Sequence, residues 1–503
     1  MSLKRNIFAS YASQLYVTLI GIAMLPFYVK YMGVEVYGLV GFFAMVQGWF
    51  LLLDMGLTPT MAREAARFRG GVGEAVNLRR LLRSLEGVFL CIALLGAACL
   101  IVGAELIAGR WLKAEYLPRD EVANAVKLMA LIMALRWFGE LYRGVITGFE
   151  RLAWLGSFNA AMTTARFVGV IPFFIFVGSS ALEFFFFQLC VAAVELLALT
   201  RKAYALLPAV PPAAVRWSWR PLRSIMSFSL TMAIASVVWI SASQTDKLLL
   251  SGLLSLVDYG WFSLTALAAS GVLLLTGPIA TALLPRLTAL NAQGDGPALL
   301  SMYRRATQWI GLLAWPVCGV LAFQAERVLW VWTGDVNLAA QAATTMCLYT
   351  IGNGAMALSA LPYYLQFAKG ELRLHLLGTG LFVLMLLPCL IWTTNEYGAV
   401  GAGWTWLSVN LIYFVLWIPV VHARYAPGLH LRWLFHDVVP IAMLALTTAL
   451  ASRWLPWPEQ RFLVGVQLLM ILLGGGVIGA MGSSWCRSKL AHYRVKALLE
   501  WQR

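Results

Sequence analysis

The residues best suited to chemistry in this chain are arginines set inside long apolar runs. Arg136, Glu140 and Arg143 recur at i, i+4 and i+7, and Asn159, Thr163 and Arg166 repeat that spacing one run later. Residues so spaced share one face of an α-helix, so each triplet draws a polar stripe along an apolar rod. An arginine at the centre of a membrane helix costs about 2.5–3.5 kcal/mol on insertion scales, and one retained there faces protein or water rather than lipid. A guanidinium is planar, permanently charged and able to pair two oxygens of an anion at once. The functional expectation is a cationic cavity with Arg136, Arg143, Arg166 and Asn159 as binding groups. The structural alternative is that Glu140 neutralises Arg136 or Arg143 and the stripes only hold helices together.

Three carboxylates are candidates for coupling: Glu140, Asp54 and Asp246. Asp54 ends the second apolar run, where capping or loop anchoring competes with coupling, and Glu195 falls at a similar depth near the end of the sixth. Asp246 adjoins Lys247, which reads equally as a structural pair. Gln14, Asn353 and Gln366 suit sugar hydroxyls, or interhelical hydrogen bonds. Trp111, Trp330, Trp332, Trp454 and Trp457 fall where an interfacial aromatic belt would lie.

Composition fixes the elements that carry these groups. Of 503 residues, 61% are hydrophobic and 12% charged, against about 25% charged in an ordinary soluble domain. The net charge is +15, but the Lys and Arg sit in short breaks between apolar runs rather than on a solvated domain, which excludes nucleic-acid binding. Apolar runs of about 20 residues span a bilayer as helices, and about fourteen can be traced from residue 7 to residue 482. The ninth, 306–325, is expected to be broken by Pro316. The fold class is an all-α polytopic membrane protein.

Most of the 38 Lys and Arg fall in alternate connections, which by the positive-inside rule are cytoplasmic and place both termini there. The basic stretch 62–84 reads as an interfacial amphipathic helix or as a topogenic loop. Glu35-Val36-Tyr37-Gly38 enters the second run and Asp258-Tyr259-Gly260 the eighth, equivalent places in two six-helix halves of the same direction. Parallel repeats with a substrate path between them are common in secondary transporters. The expected organisation is a six-helix lobe over 1–200, a basic linker over 201–224 bearing Trp217 and Trp219, a second six-helix lobe over 225–421, and an appended helix pair with a basic tail over 422–503.

Several motifs together resemble the polysaccharide-transporter family of lipid-linked oligosaccharide flippases. They are Asn6-x4-Tyr11-x2-Gln14-Leu15-Tyr16, Leu25-Pro26-Phe27-Tyr28, Gly33-x-Glu35-x-Tyr37-Gly38 and Leu53-Asp54-Met55-Gly56-Leu57. Asp246-Lys247 ahead of Tyr259-Gly260, and Leu284-Pro285-Arg286, continue the likeness, which extends to about residue 421. The resemblance implies a fold shared with multidrug antiporters and lipid II flippases, an inner-membrane location, and transport of undecaprenyl-pyrophosphate-linked sugar units between leaflets. It makes the arginine stripes a seat for the pyrophosphate or acidic sugars. The implied partners are the polyprenyl-linked glycan, membrane lipid, and glycan polymerase or assembly proteins.

A lipid II flippase or a multidrug antiporter are the rival readings, the latter weakened because the first run holds no acidic residue. An enzyme of glycan assembly is disfavoured by short outer loops. The chain has no Gly-x4-Gly-Lys-Ser/Thr phosphate loop and no Cys/His metal spacing, so no cofactor or metal is expected. Turnover would draw on an ion gradient.

Overall fold

A computed structural model describes residues 3–54, 56–71, 74–211, 237 and 240–487. Most of the expected linker (Arg216, Trp217, Trp219, Arg220, Arg223), the start of the seventh run, and the tail residues Lys489, Arg494, Lys496 and Arg503 lie outside them. With no water in the hydrocarbon core, each backbone N–H and C=O must pair within its own segment, so the apolar runs form helices. Among the described residues, eleven helical stretches are long and apolar enough to cross a membrane, and the only extended pairing recorded is an isolated bridge between Lys113 and Ser255. The chain is an all-helical, multi-pass membrane protein. Its outward side chains agree: Leu95, Val102, Phe176, Phe462 and Leu473 are all exposed, a surface suited to lipid.

The chain divides into two compact units, Met1–Ser263 and Leu264–Arg503. The first contains α1 (Leu3–Met32), α2 (Val34–Phe50), α3 (Leu57–Arg69), α4 (Ala75–Leu106), α5 (Arg119–Gly148), α6 (Leu152–Phe167), α7 (Val170–Phe176) and α8 (Ala181–Leu206). The long helix α9 (Leu256–Ala292) begins in the first unit and ends in the second. The second unit continues with α10 (Gly296–Phe323), α11 (Ala325–Thr333), α12 (Val336–Ala368), α13 (Arg373–Ile412), α14 (Ile418–Tyr425), α15 (His430–Trp433), α16 (Val439–Ala451) and α17 (Arg461–Gly482).

Three local findings differ from expectation. The stretch 62–84 is not one interfacial helix. It divides between α3 and the first turns of α4, and Met61, Ala65, Leu78 and Leu82 are buried together with Phe89 and Leu141. The apolar face of this segment is thus satisfied by protein rather than by head groups. Secondly, α10 runs unbroken through Pro316; membrane helices tolerate an internal proline when neighbours compensate the lost backbone bond. Thirdly, α8 continues past the basic pair Arg201-Lys202 to Leu206. Glu195 therefore lies near the middle of its helix and not at the end.

At 40 residues, α13 would reach about 60 Å at 1.5 Å per residue, twice the hydrocarbon thickness of about 30 Å. It is interrupted at Gly398, with φ 55° and ψ −137°, a conformation open in practice to glycine alone. This is where the sequence separates its eleventh and twelfth runs.

The paired Tyr-Gly motifs meet inside the first unit. A Cβ on Gly38 would overlap the Leu256 carbonyl oxygen, and one on Gly260 would lie 2.6 Å from the Val34 carbonyl oxygen. Each glycine lets the other motif's backbone approach. The Glu35 carboxylate accepts backbone N–H bonds from Glu115 (2.5 Å), Tyr116 (3.1 Å) and Leu117 (3.0 Å), which pins the turn leading into α5.

Candidate functional site

Two expected stripes and one unexpected one converge in the first unit. α5 packs on α8, and α6 contacts both. Arg136, Glu140 and Arg143 on α5 thereby meet Asn159 and Arg166 on α6, and also Gln188 and Glu195 on α8. The spacing of Gln188 and Glu195 is i, i+7, the same one-face signal as the arginine stripes.

Arg143 is the most fully engaged cation. Its Nε lies 3.1 Å from Glu140 Oε1, and its two terminal nitrogens donate to Asn159 Oδ1 and Glu195 Oε1. Arg166 reaches the same Glu195 oxygen at 3.7 Å and donates weakly, at 3.4 Å, to the Met162 carbonyl one turn back. Glu195 is the buried member, with its side chain 6% exposed against 16% for Arg143 and 22% for Arg166.

Arg136 is held differently. It donates to Gln188 Oε1 at 2.8 Å, its guanidinium carbon sits 5.6 Å from the Phe43 ring centre, and its buried Nε has no acceptor among the described residues. Gln188 Nε2 donates to the Arg166 carbonyl at 3.1 Å, and Tyr28 on α1 donates to the Arg166 and Phe167 carbonyls at 3.2 and 3.3 Å. The last turn of a helix leaves carbonyls without intrahelical partners. Gln188 and Tyr28 supply those partners where α6 gives way to α7, and so fix Arg166 in place.

The result is three arginines against two carboxylates, not the single carboxylate expected from α5 and α6. Glu140 does pair with Arg143, as the structural alternative has it; within these direct contacts, among the described residues, one positive charge remains in excess, and the Asp54 carboxylate lies close enough to Glu140 to act on it electrostatically. The unmet donors are Arg136 Nε and the loosely paired Arg166. A multiply charged oxyanion could take both.

The remaining candidates make no direct contact with this cluster that is recorded among the described residues. Asp54 accepts from the Thr58 backbone N–H (3.2 Å) and hydroxyl (2.5 Å), and so, from two residues before the N-cap Gly56, satisfies a donor of the first turn of α3 as a capping side chain does. Asp246 is buried with Lys247 Nζ 3.3 Å away. Asn353 donates to the Ala269 carbonyl and accepts from Trp406 Nε1, both at 2.9 Å, and so joins helices of the second unit. Gln366 bonds its own helix at Pro362, and Gln14 is exposed. Trp111 donates to Ser251 Oγ, and Trp457 lies under Arg327, 4.1 Å from ring centre to guanidinium carbon. No group of three or more metal-ligating side chains occurs among the described residues.

Solved structures share the fold. The chain matches the lipid II flippase MurJ in an inward closed conformation with a TM-score of 0.70, over 97% of this chain and 100% of that one, at 13% identity. It matches an inward-facing multidrug resistance MATE family transporter of the MOP superfamily with a TM-score of 0.66, over 83% and 98%, at 11% identity. At these identities the likeness is one of fold, the all-helical fold of MOP superfamily transporters. The chain belongs to the polysaccharide biosynthesis protein family, whose pattern matches residues 3–291. A Shigella flexneri protein named "Putative O-antigen transporter" is 21% identical over 407 residues, 81% of this chain and 94% of that protein. These relatives are transporters and flippases rather than enzymes.

Proposed function

We propose that this protein is a flippase that carries undecaprenyl-pyrophosphate-linked oligosaccharide units, of the O-antigen kind, from the cytoplasmic to the periplasmic leaflet of a bacterial inner membrane. Family membership and the name of the Shigella relative support the cargo class. The observation that carries the reading within this chain is the positive charge left over among the direct contacts of Arg136, Arg143 and Arg166, where α5, α6 and α8 meet. In a low-dielectric setting such a charge draws an anion strongly, and a pyrophosphate offers several oxygens to two guanidiniums.

In this reading Arg136 and Arg166 bind cargo directly. Arg143 and Asn159 complete the seat, while Glu195 bridges Arg143 and Arg166 and offsets their mutual repulsion. Transport is alternating access by two six-helix lobes joined by the basic 201–224 linker. The sugar and pyrophosphate cross through the polar interior while the polyprenyl tail stays in lipid. Both termini are cytoplasmic, an ion gradient drives turnover, and Glu140 is the favoured coupling carboxylate. A glycan polymerase would receive the product on the outer face. Lipid II shares the pyrophosphate, so the arginines do not separate it from the O-antigen class; membership of the polysaccharide biosynthesis protein family and the name of the Shigella relative favour the latter.

The test is complementation of surface-glycan export with Arg136→Ala and Arg166→Ala. Each variant should insert normally and export less glycan, by about tenfold for the loss of one charge-assisted pair at about 1.4 kcal/mol per factor of ten. Wild-type export by both would remove the anion seat.

A further inference from the structure

The second unit holds a separate cationic pocket. Asp437, fully buried, accepts from Arg304 at 2.5 and 3.0 Å and from Gln308 Nε2 at 2.5 Å. Gln308 also bonds Ser484 Oγ (2.8 Å), Ser483 Oγ (2.6 Å) and the Trp485 backbone N–H (3.0 Å). This network ties α10 to the segment before α16 and to the residues after α17. The ends of these helices therefore meet at one end of the unit.

Against that network lies a cavity of about 400 Å³. Water occupies roughly 30 Å³ per molecule in the liquid, so the space suits a phosphodiester head group. Its polar wall includes Ser301, Ser484, Arg305 and Arg432, and its apolar wall includes Leu300 and Leu429. Arg304, also at the wall, has its charge met by Asp437. Arg305 and Arg432 are exposed, and neither is paired with a carboxylate among the described residues. Two unmatched guanidiniums beside hydroxyl donors are a bidentate oxyanion site. The leucines beside them would be idle against a fully hydrated ion, but suit the glycerol and first methylenes of a lipid.

We propose that this cavity binds a phosphoryl anion, supplied by the head group of an anionic phospholipid. A place at the helix ends, on the side richer in Arg and Lys, is where head groups lie and where anionic leaflet charge attracts basic residues. The site is independent of the arginine cluster in the first unit and of the cargo assigned to it.

The experiment uses the full chain purified in detergent, with lipid retention read by native mass spectrometry. Phosphatidylglycerol and phosphatidylcholine are the lipid probes, and inorganic phosphate is the soluble probe. Wild type should retain phosphatidylglycerol in preference to phosphatidylcholine. The Arg305→Gln/Arg432→Gln double variant should lose that preference by about tenfold or more, two charge-assisted contacts being removed. Both side chains are exposed, so thermal unfolding in detergent alone should not change; if it does, the single variants carry the same comparison. Arginine-dependent binding of inorganic phosphate without lipid preference supports the phosphoryl site with a soluble source. Equal retention of both lipids together with no arginine-dependent phosphate binding overturns it.

Discussion

Replacing Glu195 by Gln keeps the shape of the side chain and one acceptor oxygen, but removes the negative charge that Arg143 and Arg166 share. The local balance then moves from three arginines against two carboxylates to three against one. Removing one partner of a buried ion pair costs about 3–5 kcal/mol, because the other charge is left uncompensated. Here Glu140, 43% exposed, still faces Arg143 at 3.1 Å, so the lower end, about 3 kcal/mol, is expected. The assay is reversible unfolding of the purified chain in mixed micelles, followed by tryptophan fluorescence. The companion variants are Arg143→Gln and the double substitution. Since the two side chains act as one unit, the double variant should be milder than the sum of the singles by about 1–3 kcal/mol. Single variants within about 0.5 kcal/mol of wild type and additive in combination would refute the view that Glu195 organises the cluster.

Further outcomes follow from the same geometry. Gly38→Ala places a methyl against the Leu256 carbonyl, and the backbone shift it forces should destabilise the first unit by about 1–3 kcal/mol, measured as a lower unfolding midpoint. Asp437→Asn should loosen the end of the second unit by about 3 kcal/mol, since Arg304 loses its buried counter-charge; protease sensitivity after α17 would report it. At Asp54, Asn caps a helix about as well as Asp while Ala costs about 1 kcal/mol. Asp54→Asn should therefore sustain wild-type transport and Asp54→Ala should only lower stability. Loss of transport in the Asn variant with unchanged stability would make Asp54 a coupling residue.

The all-helical membrane fold was legible from composition, because apolar runs of bilayer length have only one way to satisfy their backbone. The α5 and α6 stripes were legible too, because helical spacing is local. Gln188 was not recognised, and Glu195 was noted only for its depth, not as a partner of the arginines. The α5 partners of these two, Arg136 and Arg143, lie 52 residues away in sequence, and Arg201-Lys202 suggested a helix end that the chain does not observe. The same limit explains the 62–84 stretch. An amphipathic face shows in sequence, but whether Leu78 and Leu82 meet lipid or Phe89 depends on packing. Pro316 marked a break that neighbouring helices make unnecessary, while Gly398, the last residue of a third acidic-Tyr-Gly copy (Glu396-Tyr397-Gly398) at the start of the twelfth run, is where the long α13 turns. The Tyr-Gly repeats were visible as matching motifs; that their glycines admit each other's backbone was visible only in three dimensions.

The most direct measurement concerns the cargo. In a strain whose only copy of this chain is under a regulated promoter, shutting off expression should cause a polyprenyl-pyrophosphate oligosaccharide to accumulate on the cytoplasmic leaflet, with surface glycan lost. Accumulation of lipid II with cell lysis, or an unchanged lipid pool with reduced dye efflux, would contradict the account.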